Sequence, residues 1–399
     1  MNLLYASFSR EDSGAKGVIQ KVKYQCFSFR KEIDNVYLYV SRRTKSILYQ
    51  IKNNHVEELA SFNYRTIPIY EGSNKIRKFT NYFAYNSFLK FLDKVIDLYN
   101  IDVLYYRNSQ PSNRLIKIMQ KKKLIKIIEF PTYPFENELA KSKTKFEYNL
   151  FWKNGMKKYQ DFADIIVAIL SDTNLTVDQK IVLINNGILL EDIKIKNQNK
   201  KSYINLLSIA NVAFWHGYDR IIKGLDEYYK NNPKKEVYYH CVGEGPVLEN
   251  LKSLVKELKL EKYVIFHETK VGKELDKIVD DSDVAFGSLG NHRKGLYIDS
   301  ALKNREYCAR GIPFVIASND QDFSESFQYV FRIPADDSPV DIAKVINWYE
   351  VLSKEHPDYS LEMRKYAEEN LSWDVKLKPV IEKIKELVFE KERNVNTWN

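Results

Sequence analysis

The chain of 399 residues has little glycine (14), proline (11) or cysteine (3). With so few chain-breaking residues beside a hydrophobic fraction of 44%, it is neither collagen-like nor low-complexity, and a folded globular protein is expected. Cys26, Cys241 and Cys308 are far apart and odd in number, so they suggest no disulfide framework. No CxxC pair or His/Cys cluster has metal-ligand spacing, and no metal or resident cofactor is expected. No window approaches the roughly 20 apolar residues that span a bilayer. The opening "MNLLYASFSRED" is too short in its apolar run, and lacks the basic flank, for a signal peptide. A protein of the reducing cytoplasm, soluble or lying on a surface, is the expectation.

What the chain does have is charge, unevenly placed. Residues 1–200 hold 33 Lys and Arg against 20 Asp and Glu, net +13, whereas the rest holds 29 against 33, net −4. The basic half implies an anionic partner. No RNP, KH or helix-turn-helix pattern accompanies that charge, so nucleic acid is not the partner expected.

Short apolar runs alternate with amphipathic segments throughout. "NLLYASF" (2–8), "VYLYVS" (36–41), "VLYYR" (103–107), "LIKIIEF" (124–130) and "DIIVAIL" (164–170) read as strands, with helices over 17–32 and 84–98 between them. "KIVLINNGI" (180–188) closes the series at an Asn-Gly turn. The polar "KIKNQNKKSY" (194–203) reads as a linker. Six further runs then follow, at 204–212, 236–243, 263–268, 283–288, 313–318 and 329–334. The pattern predicts an α/β protein with two doubly wound parallel sheets. The expected domains are 1–195 and 203–370, with a C-terminal helix over 371–399 that packs back on the first. Ligands of open α/β sheets bind beyond the carboxyl ends of the strands, so the loops after strands hold the candidate residues.

"SFSREDSGAKGVIQKV" (7–22) follows the first strand. Gly17 there allows close backbone approach at a helix start, although the spacing is neither GxGxxG nor a Walker loop. A plain flexible loop fits the same residues. "CVGEGPVLENL" (241–251) turns at Gly243 and Gly245 into a helix begun by Pro246, which is also simply a good turn and cap. "ANVAFWHGYDR" (210–220) crowds His216, Asp219 and Arg220 between strand and helix. Arg220 offers a planar fork for phosphate oxygens, or pairs locally with Asp219. In "GSLGNHRKGLYIDSALKNREYCARGIPFV" (287–315), Arg293 and Lys294 precede a helix start, an arrangement suited to a diphosphate. Lys303 and Glu306 share a face of that helix. Glu306 could accept the vicinal hydroxyls of a ribose, or form a surface pair with Lys303.

The strand ending "NNGI", the "VGEGP" turn, "VIFHE" and the helix closing "KNREYCARGIPFV" resemble, in order and spacing, the family-4 (group 1) retaining glycosyltransferases of the GT-B type. The most specific match is a helical Glu followed by A.G.P.V, here Glu306, Ala309, Gly311, Pro313 and Val315. The resemblance covers the whole chain and is strongest over 204–320. It implies two Rossmann-like domains facing a central cleft, a UDP- or GDP-linked sugar on the second domain, and no metal. Glu306 matches the ribose-binding glutamate, and Lys303 a variant lysine three residues before it. The family's sugar-contacting glutamate aligns with Ile298, beside Asp299. Its diphosphate-binding Arg and Lys align with Asn211 and His216, which leaves Arg220, Arg293 and Lys294 to supply charge.

The resemblance also puts the acceptor on the first domain, where Tyr133 and Glu136 of "PTYPFENEL" follow a strand. Lys121, Lys122 and Lys123, with Lys117 and Lys126, either face an anionic membrane or form a solvated, lysine-rich helix end. The function implied is transfer of a hexose-type unit, with retention, to a glycan or polyprenyl-linked oligosaccharide for a surface polysaccharide. The enzyme would be cytoplasmic and peripheral on the membrane. The alternative is a catalytically inactive GT-B subunit that binds a glycan or supports a partner. No Asp/Glu/His set is arranged for a sugar-nucleotide epimerase.

Overall fold

Strands buried on both faces must be apolar almost throughout, and the runs above become such strands in two sheets. The computed structural model describes residues 1–12, 16–64, 74–133, 158, 160–170, 179–198 and 201–396. It divides into one unit of residues 1–184 with 376–399, and a second of residues 185–375.

The first unit contains β1 (Asn2–Arg10), β2 (Asn35–Ser41), β3 (Lys45–Lys52), β4 (His55–Asn63), β5 (Val103–Arg107), β6 (Ile125–Tyr133), β7 (Ile165–Leu170) and β8 (Ile181–Ile184). They form one sheet in the order β4-β3-β2-β1-β5-β6-β7-β8. Its described helices are α1 (Lys16–Glu32), α2 (Asn74–Leu98) and α3 (Asn113–Met119). Leu4, Tyr39, Phe88, Leu92, Leu104 and Ile128 meet in its core.

The strand reading missed β3 and β4, an antiparallel hairpin added to the edge of the parallel sheet. Its signal is period-2 alternation on either side of "NN", and Asn53 adopts φ 48° at the turn. The outer strand β4 is largely exposed, so it lacks the continuous apolar run of its inner neighbours.

The second unit pairs β9 (Ile204–Ile209), β10 (Val237–Val242), β11 (Val264–His267), β12 (Val284–Phe286), β14 (Phe314–Ile316) and β16 (Val330–Arg332) in the order β11-β10-β9-β12-β14-β16. The two-residue strands β13 (Ile298–Asp299) and β15 (Asn319–Asp320) pair separately. Helices α4 (Asp219–Lys230), α5 (Leu248–Glu257), α6 (Lys273–Asp280), α7 (Leu302–Arg310), α8 (Ile342–Glu355) and α9 (Tyr359–Asn370) complete it. The last helix, α10 (Trp373–Asn396), joins the first unit from Lys376, where Lys385 pairs with Glu32 at 2.8 Å and Lys391 donates to Leu124 O at 3.0 Å.

Residues 194–198, expected as part of a linker, are fastened to the second unit instead. Lys196 Nζ donates to Ser282 O at 2.6 Å and its backbone N–H to Arg310 O at 2.8 Å, while Asn197 binds Asp280 through backbone and side chain. Their polarity serves the fold, because each side chain satisfies a loop or helix end.

In each sheet the strand order reverses around the first strand, between β1 and β5 and between β9 and β12. These are the topological switch points at which ligands of such sheets bind.

Candidate functional site

At the switch point of the second unit, β9 and β12 pair over only two residues, Leu206–Val284 and Leu207–Ala285. Beyond that, the Tyr307 hydroxyl of α7 bridges them, accepting from Ile209 N at 3.1 Å and donating to Phe286 O at 3.3 Å. The loops that follow are tied by Leu289 N to His216 O at 2.8 Å and Gly290 N to Trp215 O at 3.2 Å. The loop after β10 joins the same rim, with Val212 N donating to Glu244 O at 2.6 Å. Gly243 makes that approach possible: its φ is 120°, and a Cβ there would lie 2.0 Å from Ala210 O. Gly311, with φ 71°, ends α7 in a left-handed cap.

Three polar side chains gather on this rim. His216 is buried, and its Nδ1 accepts from Ala213 N at 3.0 Å, which puts the ring proton on Nε2. Burial, with the positive charges of Lys303 and Lys294, lowers its pKa to about 3. His216 is therefore a neutral donor and not a cation. Lys303 Nζ donates to Tyr218 Oη at 3.2 Å, and burial lowers its ammonium to about 8 against the opposing pull of Asp299, Cys241 and Glu306. Lys294 Nζ lies 4.7 Å from the centre of the Trp215 ring, a cation–π contact.

Both arginines expected to bind phosphate are engaged by the protein itself. Arg220 is fully buried and donates to Leu289 O at 2.6 Å, Ser338 O at 2.7 Å, Pro334 O at 3.0 Å and Asp336 Oδ1 at 3.3 Å. It does not pair with Asp219, its chain neighbour. It ties the loop after β12 to the loop between β16 and α8, and that is a structural role. Arg293 takes Asp219 in a bidentate grip, 2.9 Å on each side, and reaches Asp337 at 2.7 Å and Phe214 O at 2.8 Å. The hydrogen bonds it donates to Asp219 foremost, and to Asp337, raise its pKa. Beside it lies a cavity of about 170 Å³ walled by Val212, Phe214, Val247 and Leu251.

Glu306 lies on α7 one turn after Lys303, but its hydrogen bond goes to Arg310 Nε at 3.1 Å, not to that lysine. Arg310 also pairs with Asp276 at 2.7 Å. Asp299, next to Ile298, is turned inward: Asn291 donates to it at 2.6 Å. Burial and the nearby Asp320 raise the Asp299 carboxyl above its ordinary range.

No family profile matches the sequence, and no characterised protein matches it by sequence. The fold does have close counterparts. A glycosyltransferase from Rickettsia africae aligns over 97% of this chain and 98% of its own at TM-score 0.62 and 12% identity. Alr3699/HepE from Anabaena, in complex with UDP, aligns over 97% and 100% at 0.61 and 10%. Sucrose-phosphate synthase from Thermosynechococcus elongatus aligns over 99% and 100% at 0.63 and 10%. The chain has the GT-B fold.

In this GT-B chain the residues expected on the first unit are scattered. Gly17 stands in the first turn of α1, where an added Cβ would meet nothing within 4 Å. Tyr133 is the last residue of β6, its side chain outside the described residues, and Glu136 lies outside them altogether. Lys121 is ion-paired with Asp93 at 2.8 Å and Asp97 at 2.7 Å, so much of its charge is offset locally; Lys122 and Lys123 are exposed on the adjoining turn. Lys126 is buried and pairs with Asp164 at 3.3 Å. No described helix is long and apolar enough to cross a membrane.

Sequence reasoning missed Tyr307 and Tyr218. Both are apolar-looking members of a loop or helix whose hydroxyls meet the switch point from 85–98 residues away along the chain.

Proposed function

We propose that this GT-B chain is a glycosyltransferase that binds a nucleoside diphosphate sugar at the switch point of its second unit. The sugar passes to a glycan or lipid-linked oligosaccharide bound by the first unit, in synthesis of a surface polysaccharide. The observation that carries this reading is the rim where three loops meet, with Lys303, Lys294 and the Nε2–H of His216 gathered on it. Preorganised donors and cations stabilise negative charge as it develops on a departing diphosphate. Glu306, at the middle of α7, is assigned to the ribose hydroxyls, which would compete with Arg310 for its carboxylate. Retention, by front-face attack assisted by the leaving phosphate, is proposed on the family resemblance; the described side chains of this rim offer no evident nucleophile. Charge neutralisation is assigned to side chains and not to a metal. UDP is the first nucleotide to try, since Alr3699/HepE was solved with it. The enzyme is proposed to work in the cytoplasm at the membrane face, through Lys122 and Lys123.

A second reading is favoured by Arg220 and Arg293, whose guanidinium groups are held by protein acceptors. Fewer cations then face a diphosphate, as in a subunit that binds a glycan without turning over. Calorimetric titration with UDP and GDP, on the native chain and on Glu306→Ala, tests both readings. Micromolar binding of one nucleotide, weakened about tenfold or more by the substitution, supports the donor site. Binding of neither nucleotide defeats it. Binding with no hydrolysis or transfer of any UDP- or GDP-sugar shifts the assignment to the inactive subunit.

A further inference from the structure

The cavity beside Arg293 takes no part in the proposed donor site. It holds about 170 Å³, close to the roughly 150 Å³ at which an apolar cavity accepts benzene. Val212, Phe214, Tyr218, Val247 and Leu251 wall it, from the loop after β9 and the start of α5. Val212, Tyr218 and Leu251 are buried. Phe214 is 49% exposed and Asn250, on the edge, is exposed as well, so the cavity reaches the surface between them.

The charged residues on that edge call for no ionic ligand. Arg293 and Asp219 grip each other at 2.9 Å on each side, and Asp337 and Phe214 O take further N–H groups of the guanidinium. Asn250 adds one amide at the mouth. A base, ribose or diphosphate placed here would exchange hydrogen bonds to water for contacts with carbon, which is costly. A hydrocarbon body with a single polar end gains by leaving water, and its polar end meets the Asn250 amide.

The position ties this space to the donor rim. Tyr218 is the shared wall: its side chain lines the cavity, while its hydroxyl accepts from Lys303 Nζ at 3.2 Å. Phe214, the outer wall, meets Trp215 edge-on with ring centres 5.1 Å apart, and Lys294 Nζ lies 4.7 Å from the centre of that indole. One tyrosine thus separates the cavity from the lysine assigned to the diphosphate.

We propose that this cavity is a second ligand site, which takes a benzene-sized apolar group bearing one polar end. Such a group is either the aglycone of the acceptor or a free small molecule. Binding stands apart from the donor assignment; only the role as an aglycone rests on the proposed transferase.

The methyl resonances of Val247 and Leu251, assigned by substitution, are followed while benzyl alcohol, benzyl β-glucoside or methyl β-glucoside is added to the full chain. Both benzyl compounds should shift them saturably, and methyl β-glucoside should not. Benzyl β-glucoside binding about tenfold or more tighter than benzyl alcohol makes the group an acceptor's aglycone. Equal affinities make the natural ligand a free small molecule. Val247→Phe, which fills the space, should abolish the Leu251 shifts and leave UDP affinity within about twofold. Intermolecular NOEs from the benzyl ring to the two side chains place the probe in the native chain, without reliance on any variant. No saturable shift overturns the proposal, as does an undiminished shift in Val247→Phe. Displacement of benzyl alcohol by UDP would return the cavity to the donor and overturn it too. UDP binding is read separately by calorimetry, so failure of the donor site is distinguishable from failure here.

Discussion

The two switch points share a topology and treat positive charge in opposite ways. In the first unit, Arg107 and Lys21 sit against a fully buried carboxylate, and Arg107 is held more firmly charged than usual: burial opposes its charge, but Glu129 outweighs it. In the second unit, Lys303 has a tyrosine hydroxyl for its hydrogen-bond partner, and burial draws its pKa down to about 8. At one site the arginine is paired with a protein carboxylate before any ligand arrives, and at the other a cation destabilised by burial would be relieved by an anion. The difference teaches where ligand binding should be strongly coupled to protonation, namely at Lys303 and not at Arg107.

The largest effect should come from removing the compensation. Burial alone would push the Glu129 carboxyl up, but Lys21, Arg107 and the donors Gln25 and Tyr105 bring it below its ordinary range. Glu129→Gln leaves the nearly buried Arg107 without its carboxylate, and breaking a buried pair in this way costs about 3–5 kcal/mol. Urea unfolding should show that loss, carried mainly by the first unit. A loss under about 1 kcal/mol would mean that solvent reaches the cluster, and the contrast between the two crevices would collapse.

The next effect is a pH dependence at the second crevice, with opposite signs for binding and stability. Lys303 is charged below about pH 8 when folded and up to its ordinary value of 10.5 when unfolded. Between those limits the unfolded chain binds more protons, so this group makes stability rise with pH. At the proposed donor site nucleotide affinity would run the other way, since the ammonium assigned to the diphosphate is lost as pH passes about 8. Calorimetry on either side of that pH should show UDP affinity falling, with the fall abolished in Lys303→Met. Lys196, also lowered to about 8 by burial, contributes to the stability trend but lies off the rim, so it remains as background in the variant. An unchanged pH profile in Lys303→Met would remove this lysine from the donor site.

These residues also mark the limit of what the sequence discloses. Inner strands were legible because burial on both faces demands continuous apolar runs, and the α7 signature was legible because a helix fixes the spacing of Lys303, Glu306 and Gly311. The hairpin β3–β4 escaped because an exposed edge strand relaxes that demand. Partners distant in sequence escaped as well. Arg220 looked like a phosphate ligand, yet its acceptors Leu289, Pro334 and Ser338 lie 69–118 residues away. Glu129 looked like one polar residue in a strand, and its partners Tyr5 and Gln25 lie 124 and 104 residues away. Local spacing reports what a residue offers, whereas the fold decides whether something else has already taken it.

The smallest effect tests whether the first unit shares in donor binding at all. Gly17 sits in the first turn of α1, and an added Cβ would meet nothing within 4 Å, so no protein contact requires glycine there. Gly17→Ala should therefore leave the fold intact and stabilise α1 by up to about 1 kcal/mol, because alanine loses less backbone entropy in a helix. If the open space above Gly17 is where the diphosphate approaches, the same methyl group should weaken binding of a UDP-sugar while melting temperature holds or rises. Unaltered affinity beside a raised melting temperature would confine the donor to the second unit, and the ligand-approach role read for Gly17 would fall. The variant separates the two because its cost to folding is nil or favourable, so any loss of binding reports a ligand and not a damaged helix.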